Sequence, residues 1–366
     1  MPSRFSTAAR ACWAGAILAC TPVVHAQDSN PEPAAATSTW SDPATTPAED
    51  LGNLKVLQRS LLLDVAESSD RAIVVGDRGH ILVSETRSEW RQVPTPTRSM
   101  LTAVTAVGND VWAVGHDQVI IHSKDGGSTW TLQHHDVAAE GPLLDVLFLD
   151  AQRGYAVGAY GQFLATTDAG ATWNVQWISD RTAASAEPVQ EAVPEEDVED
   201  SGLASTDMGE DEGDPHLNAI VRTPQGLLIV GEAGSGYRST DEGASWTAFE
   251  FPYEGSLFGA VAIDDGSVVA FGLRGNALVS SDLGLSWAAL DTGTEATLQG
   301  GAAVPGGRAV FVGASGAVLL KPAGETTLRL YNFAAGGVMS AVLPLTETQF
   351  LTVGENGIQT YEPSAN

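Results

Sequence analysis

Residues 114–130 read VGHDQVIIHSKDGGSTW and contain the pattern that decides the fold. The stretch opens with a Val-Gly pair, continues into β-branched residues, and ends in the octet Ser-x-Asp-x-Gly-x-Thr-Trp. Asp125 can accept backbone N–H groups across a tight turn, and Gly127 permits a positive φ. Trp130 supplies a large ring that can be buried. The stretch therefore predicts one short strand between two tight turns.

The Val-Gly or Phe-Gly pair recurs along the chain at a nearly constant interval. Its glycines are Gly76, Gly115, Gly158, Gly231, Gly272, Gly313 and Gly354, spaced by 39, 43, 73, 41, 41 and 41 residues. Each unit opens with an apolar stretch and carries short β-branched runs separated by glycine-rich turns. About four short strands in roughly forty residues are what one propeller blade requires. The predicted fold is all-β: a seven-bladed β-propeller of four-stranded blades.

The octet is repeated in four of the seven units, as an Asp-box or BNR repeat. We interpret its residues as structural, because they form a turn and bury a ring between blades. They are Ser123, Asp125, Gly127 and Trp130; Asp168, Gly170 and Trp173; Asp241, Gly243 and Trp246; and Asp282, Gly284 and Trp287. A fifth copy, Ser84 to Trp90, is one residue shorter and lacks the Asp.

The complete unit resembles the photosystem II stability/assembly factor family. The resemblance covers nearly all of residues 54–361 apart from one long insertion. It implies a non-enzymatic propeller without cofactor that binds partly assembled membrane proteins from the lumenal or periplasmic side. Photosynthetic members are associated with an arginine-bearing patch, whereas basic residues are few and scattered here. We therefore expect a bacterial relative without a role in photosynthesis.

Four segments are predicted from composition. Residues 1–26 read as a signal peptide, which implies a periplasmic location, and 27–50 read as a disordered spacer rich in Pro, Ala, Ser and Thr. The propeller is assigned to 51–362, interrupted by an acidic, disordered insertion at 179–214. The sequence Ile-Leu-Ala-Cys20 is a loose lipobox, so a lipid-anchored form is the alternative to soluble export.

The charge of the chain restricts its partners. A net charge of −28 argues against nucleic acid and anionic membrane surfaces, because both attract Lys and Arg. We expect a monomer that binds a protein of an envelope membrane complex. The acidic insertion is either a solvated excursion or a tether for a basic partner surface.

Candidate contacts for that partner lie in the turn after each Val-Gly pair, where residues differ from unit to unit. Loops of this kind gather on one propeller face and vary without disturbing the blades. The candidates are Arg78, His116, Tyr160 and Arg274, whose mixture with acidic residues suits a polar protein surface. Arg and Tyr are also frequent at binding hot spots.

The alternative function is that of a carbohydrate-active propeller, either a sialidase-like glycoside hydrolase or a lectin. Such a hydrolase needs arginines that converge on a carboxylate, and the strands expected to line the axis carry almost none, with Arg222 the nearest. No metal site is predicted, because His134 and His135 are adjacent on a strand and point to opposite faces. Catalytic residues are therefore predicted to be absent.

The last unit has no Trp-led fourth strand after Tyr361. Propellers commonly close their ring by pairing the two chain ends. We therefore expect residues 54–58 to supply the outer strand of the last blade.

Overall fold

The computed structural model describes residues 41–52, 56, 59–139, 141–182 and 213–363. Within these residues, consecutive strands pair antiparallel into seven separate sheets, one per blade. The first strand of each sheet lines the central axis, and each later strand lies farther out. The prediction of a seven-bladed all-β propeller is confirmed.

The strands of the first four blades follow the predicted order. They are β1 (Leu62–Ser68), β2 (Arg71–Gly76), β3 (Ile81–Ser84) and β4 (Arg91–Val93) in blade 1; β5 (Leu101–Val107), β6 (Asp110–Gly115), β7 (Ile120–Ser123) and β8 (Thr131–His134) in blade 2; β9 (Leu143–Phe148), β10 (Gly154–Gly158), β11 (Gln162–Thr166) and β12 (Asn174–Trp177) in blade 3; and β13 (Leu217–Thr223), β14 (Gly226–Gly231), β15 (Ser235–Ser239) and β16 (Thr247–Glu250) in blade 4.

The remaining blades repeat this order. They contain β17 (Leu257–Ala262), β18 (Val268–Gly272), β19 (Ala277–Ser280) and β20 (Ala288–Ala289) in blade 5; β21 (Leu298–Val304), β22 (Arg308–Gly313), β23 (Ala317–Lys321) and β24 (Arg329–Asn332) in blade 6; and β25 (Met339–Pro344), β26 (Phe350–Gly354) and β27 (Gln359–Tyr361) in blade 7. Short 3-10 turns join the second and third strands of five blades, at Asp77–Gly79, His116–Gln118, Ala159–Gly161, Leu273–Gly275 and Ala314–Gly316.

The core lies between neighbouring blades, because each blade buries apolar side chains on both of its faces. Ile73 and Val83 of blade 1 pack with Trp130 of blade 2, and all three are buried. The ring closes in the same way where the last blade meets the first. There, Leu62 and Trp90 of blade 1 pack with Leu351 and Val353 of blade 7.

Blade 7 has three strands among the described residues. The segment expected to complete it, residues 54–58, lies outside them except for Val56. The Val56 carbonyl accepts a hydrogen bond from the Arg59 N–H at 3.1 Å, and Val56 itself is helical and 53% exposed. Closure of blade 7 by this segment therefore stays a prediction.

The segment before the first blade is in contact with the propeller from residue 41 onward. Pro43–Thr45 form a 3-10 turn, and Ala44 is completely buried in the cluster between blades 1 and 2. The Pro43 carbonyl accepts the Arg98 N–H at 3.0 Å. Residues 41–50, assigned to the spacer from composition, thus include a part that packs on the fold, while 27–40 lie outside the described residues.

The ends of the predicted acidic insertion also join the fold. Ser179–Arg181 form a 3-10 turn, and Thr182 bridges to Trp246 of blade 4. The Ser179 hydroxyl donates to the Asp214 carboxylate at 2.7 Å, so the two ends of the insertion meet. Residues 183–212 and the predicted signal peptide lie outside the described part of the chain. Within that part, no helix has the length and apolar character needed to cross a membrane.

Candidate functional site

The turns between second and third strands lie at one end of the propeller, beside the linkers that lead into the first strands. We call this end the turn face. In each blade, the residue after the Val-Gly pair donates its N–H to the carbonyl that precedes the first strand. His116 donates to Met100 at 2.9 Å and Ala314 to Thr297 at 2.9 Å. A side chain on the pair's glycine would collide with that same carbonyl, which explains the glycine in the pattern.

The middle residue of the turn has a left-handed backbone in six of the seven blades. Its φ lies between 51° and 57° in six blades, at Arg78, Asp117, Tyr160, Ala233, Arg274 and Ser315. Few non-glycine residues adopt this conformation, and bulky ones do so at a cost of about 1 kcal/mol or more. The turns therefore hold one backbone geometry while they present different side chains.

Three of the four predicted contact residues occupy this middle position. Arg78, Tyr160 and Arg274 are all exposed; the Arg78 side chain is 71% accessible and Tyr160 47%. His116 is exposed too, but it stands one position earlier, where blade 1 has Asp77. The blade 2 residue equivalent to Arg78 is Asp117, whose carboxylate accepts the Ser99 hydroxyl.

The surroundings of the three middle residues differ. The Tyr160 ring meets the His216 ring edge-on, with centroids 4.7 Å apart. A cavity of about 350 Å³ is lined by Arg78 together with His80 and Arg98. Arg274 borders a cavity of about 510 Å³ that also contains Glu295. The turn face is thus chemically uneven around the ring.

His80 follows the turn of blade 1, and the sequence analysis did not single it out. It is 2% exposed, and the polar group that meets its ring is the backbone of Glu49, without ideal hydrogen-bond geometry. Burial lowers the pKa of His80, and the Asp77 carboxylate opposes that change. The imidazole is therefore neutral near pH 7.

The central channel contains two carboxylates that sequence reasoning also missed. Asp64 and Asp145 line a cavity of about 220 Å³ on the axis. Asp64 accepts the N–H of Val104 in the next blade at 2.8 Å, and Asp145 accepts that of Ile220 at 2.8 Å. The signal was present, because Leu-Leu-Asp-Val occurs twice, at 62–65 and 143–146, and places an aspartate in an apolar run each time.

The channel carboxylates hold protons unusually well. Burial raises the pKa of Asp64 to about 7, with a further contribution from Asp145, and burial likewise raises that of Asp145 to about 7. Both side chains are half-buried, and the channel rather than the outer surface accounts for their exposure. The described channel lining contains no arginine; Arg222 instead donates to the Leu149 carbonyl at 3.0 Å.

The octets lie at the end opposite the turn face, which we call the box face. The Asp125 carboxylate accepts the backbone N–H groups of Ser128 and Thr129, at 3.0 and 2.8 Å, and the Thr129 hydroxyl. Trp130 donates its indole N–H to the Gly127 carbonyl at 2.9 Å. Asp168, Asp241 and Asp282 each accept the same hydroxyl and N–H from the residue four positions later. All these bonds are local to the turn.

No cluster of three or more His, Cys, Asp or Glu side chains suited to a metal ion occurs in the part of the chain that the structure describes. The two histidines singled out from the sequence are not brought together with other ligands. His134 lies 3.5 Å from the Gln118 amide oxygen.

No protein-family model matches the chain, and no curated protein matches it in sequence. Solved structures do match. YCF48 bound to D1 peptide aligns with a TM-score of 0.61 and 16% identity, over 84% of this chain and 94% of that chain. YCF48 from Cyanidioschyzon merolae aligns with a TM-score of 0.60 and 15% identity, over 82% and 95%.

Enzymes with the same architecture are also similar. Virginiamycin B lyase from Staphylococcus aureus aligns with a TM-score of 0.65 and 10% identity, over 82% of this chain and 94% of that chain. Identities this low show the propeller fold and nothing about chemistry.

Proposed function

We propose that this chain is an exported, non-enzymatic propeller that binds another protein through its turn face, and assists the assembly, stability or activity of a membrane-protein complex in the periplasm. The observation that carries the proposal is the ring of turns. Their backbones repeat from blade to blade, whereas Arg78, Tyr160 and Arg274 place large side chains at a strained backbone position. Strain of this kind is frequent at binding sites.

Two further observations support the proposal. The three side chains are exposed and are of the types that dominate interface hot spots. A propeller of similar architecture has been solved with a bound peptide. The N-terminal sequence supports export, with the lipid-anchored form through Cys20 as the alternative.

The test is a triple variant, Arg78→Asn, Tyr160→Asn and Arg274→Asn, because Asn tolerates the left-handed backbone. Immobilised variant and wild-type protein are incubated with solubilised membranes of the source cell, and retained proteins are identified by mass spectrometry. We expect a partner that the wild type retains and the triple variant loses. A matched control replaces three exposed box-face residues, Lys124, Leu285 and Arg329, with Ala. Equal retention by both variants would contradict the proposal.

The absence of enzymatic activity is part of the proposal and is tested separately. Purified protein is incubated with fluorogenic glycosides and screened on a glycan array. We expect neither turnover nor specific glycan retention. Hydrolysis that Asp64→Asn or Asp145→Asn abolishes would favour the carbohydrate-active alternative and would place its chemistry in the channel.

A further inference from the structure

Six of the seven junctions between blades are filled by a large side chain at the last position of an octet or its equivalent. In each, this side chain belongs to the following blade and packs in the cluster that it shares with the preceding one. The six residues are Trp90, Trp130, Trp173, Trp246, Trp287 and Leu328. Among the described residues, the cluster between blades 6 and 7 has no such member from blade 7.

The register of blade 7 explains this difference. Phe350 pairs with Tyr361 as Val111 pairs with Ser123, so Tyr361 stands where an octet would begin. Residues 362–366 read Glu-Pro-Ser-Ala-Asn, which places proline at the position of the octet's aspartate and alanine at that of its glycine. This stretch therefore lacks the carboxylate and the glycine that form the turn of an octet, here called the box turn.

A cavity of about 620 Å³ lies at this junction, on the box face. Its walls include Val304, Leu320 and Tyr331 of blade 6, and Thr348 and Pro363 of blade 7. Three of these five residues are apolar and one is aromatic, so the cavity suits a large side chain of mixed character.

The cavity coincides with the place that an octet Trp occupies elsewhere. Val310 pairs with Leu320 as Ile73 pairs with Val83, so Leu320 is the blade 6 equivalent of Val83. Val83 is completely buried in a cluster with Trp130, whereas Leu320 is half-buried. The blade 6 surface is thus shaped like the surfaces that receive a ring, but this chain supplies no ring to it among the described residues.

The same junctions also share a polar contact. In four of them, a side chain of the preceding blade donates to a carbonyl in the box turn of the next. These bonds join Arg71 to Asp125 at 3.1 Å, Gln133 to Ala169 at 2.9 Å, Arg181 to Gly243 at 2.8 Å and Arg238 to Gly284 at 3.2 Å. A box turn is therefore held by its ring and by its backbone carbonyls together.

Arg308 is the equivalent donor of blade 6. It begins β22 as Arg71 begins β2, and it also lines the cavity. It donates to the Pro305 carbonyl at 2.9 Å and to the Glu347 carboxylate, whose side chain is 75% exposed, at 3.3 Å. Because a guanidinium has five N–H donors, Arg308 retains donors for the carbonyl of an incoming turn.

Two occupants from this protein are disfavoured. Residues 46–51 lie on the turn face beside Arg78, so a closing strand at 54–58 would enter blade 7 from that face, without a box turn before it. A second copy of the chain would bring a second net charge of −28 against the first. A different protein is the better occupant.

We propose that this cavity is a second interaction surface, which receives an aromatic side chain carried on a tight turn of another protein. The ring packs against Leu320 and Tyr331, in the place of an octet Trp, and Arg308 donates to a backbone carbonyl of the same turn. Aromatic side chains that fill a preformed pocket are frequent anchors of interfaces. The surface lies opposite the turn face and does not depend on the function proposed above.

The experiment follows the methyl signals of Leu320 by NMR in residues 27–366, labelled at leucine methyl groups and assigned with Leu320→Met. The probe is acetyl-Ser-Lys-Asp-Gly-Gly-Ser-Thr-Trp amide, the octet of residues 123–130. We expect it to shift the Leu320 signals saturably, through the ring current of its indole. The same peptide with Ala in place of Trp should bind at least tenfold more weakly, because it lacks the buried ring. Leu285, which is 70% exposed on the same face, should not shift.

Variants separate the cavity from general attraction to the box face. Arg308→Gln should weaken binding of the Trp peptide on the order of tenfold, as expected for loss of a charge-assisted hydrogen bond. Arg91→Gln removes an exposed arginine from the same face of blade 1 and should leave binding unchanged. The melting temperature of each variant verifies that it is folded.

Four results would overturn the proposal: no shift of Leu320, equal binding of the Ala peptide, an equal shift of Leu285, or equal weakening by Arg91→Gln. A shift of Leu320 that grows with protein concentration in the absence of peptide would assign the cavity to a second copy instead. The turn-face variant Arg78→Asn, Tyr160→Asn, Arg274→Asn should bind the peptide like the wild type. Failure of this surface would therefore leave capture by the turn face unaffected.

Discussion

Aspartates occur in opposite chemical states at the two ends of a blade's radius. In the outer turns of the box face, the hydroxyl and N–H of Ser245 and Ser286 hold the pKa values of Asp241 and Asp282 at about 2. In the channel, burial raises those of Asp64 and Asp145 to about 7. Burial in the channel and hydrogen bonds in the box turns, rather than residue type, decide which carboxylates are ionised.

The channel pair predicts a pH dependence of stability. Because the folded-state pKa values lie above the ordinary 3.8, folding is assisted by protonation, fully below about pH 4 and no longer above about pH 7. Burial lowers the pKa values of His80, His122 and His134, which act in the opposite sense below 6.5. The comparison that isolates the pair is between wild type and the double variant Asp64→Asn, Asp145→Asn.

We expect the stability of the wild type, measured relative to that variant by urea unfolding, to fall as the pH rises from about 4 to 7. The histidines cancel in this difference, because both proteins contain them. A flat difference across that range would show that water in the channel keeps both carboxylates at ordinary pKa values.

Variants of Asp125 and Gly127 measure separately how hydrogen bonds and backbone conformation stabilise one octet. Asp125→Ala removes four hydrogen bonds, from the Ser123 and Thr129 hydroxyls and the Ser128 and Thr129 N–H groups, but these N–H groups are exposed and water can replace the carboxylate. We expect a cost of about 1 kcal/mol, below what buried N–H groups would give. Gly127→Ala should cost more, about 2 kcal/mol, because φ is +81° and the new Cβ would lie 2.8 Å from Ile73 Cδ1.

Both costs are read from the midpoint and slope of chemical unfolding. A larger loss for Asp125→Ala than for Gly127→Ala would contradict this order. Partner capture by folded Asp125→Ala protein should be unchanged, since the box face lies opposite the turn face.

The sequence predicted the blades and the three exposed middle residues of the turns. It did not predict which residues surround them. His116 and Asp117 form the variable pair of blade 2, but which of the two adopts the left-handed backbone depends on φ, which the pattern does not contain. His80 was missed because its surroundings include Glu49 and Arg98, which are distant in sequence. Asp64 and Asp145 were missed because the sequence does not show that their two strands, 81 residues apart, meet at the axis.

At the scale of elements, the box turn persists where its sequence pattern does not. In blade 1, Thr86 stands where the octets have Asp, and its hydroxyl accepts the Glu89 N–H at 3.0 Å. In blade 6, residues 321–328 have the length of an octet, and Lys321 pairs with Ala309 as Ser123 pairs with Val111. The turn between the third and fourth strands therefore occurs in more blades than the sequence pattern identifies.

The segment before the first strand is expected to stabilise the ring. Deleting residues 27–40 should leave the melting temperature nearly unchanged, because their composition predicts a spacer. Deleting 27–51 should lower it, since Ala44 and Leu51 pack in two inter-blade clusters. Ala44→Asp is the matched point variant and should lower it as well, because the site is fully buried. Equal melting of all three variants would contradict this role.

Closure of blade 7 has its own test. If residues 54–58 supply the fourth strand, Leu54→Pro should destabilise the protein by removing a backbone donor and the strand conformation at that position. Thermal unfolding of this variant, compared with Ala35→Pro in the spacer, measures the effect. Equal melting temperatures would exclude the closing strand.

At the scale of the whole molecule, charge is the dominant feature. The net charge is −28, and residues 183–212 alone contain eleven acidic residues and no basic one. Repulsion among like charges destabilises a compact chain and is screened by salt. Such a surface disfavours self-association and favours partners with basic or neutral surfaces.

We therefore expect the melting temperature to rise with NaCl up to roughly 0.5 M, where charges are screened over about 4 Å. A variant without residues 183–212 should show a smaller rise, because it has fewer charges to screen. Differential scanning calorimetry at fixed pH measures both. A melting temperature that falls with salt would mean that specific ion pairs outweigh the general repulsion.

The hydrogen-bonded turns of the turn face also make the propeller suitable for engineering. Each turn is fixed by its backbone, through the bond from the residue after the glycine to the carbonyl before the first strand. A library that varies positions 78, 117, 160, 233, 274 and 315 would therefore display six side chains on an unchanged scaffold. Asn, Asp and Gly would enter such a library without strain, and β-branched residues would be the costly members. Selection from it would yield binders for surfaces that this protein never meets in its own cell.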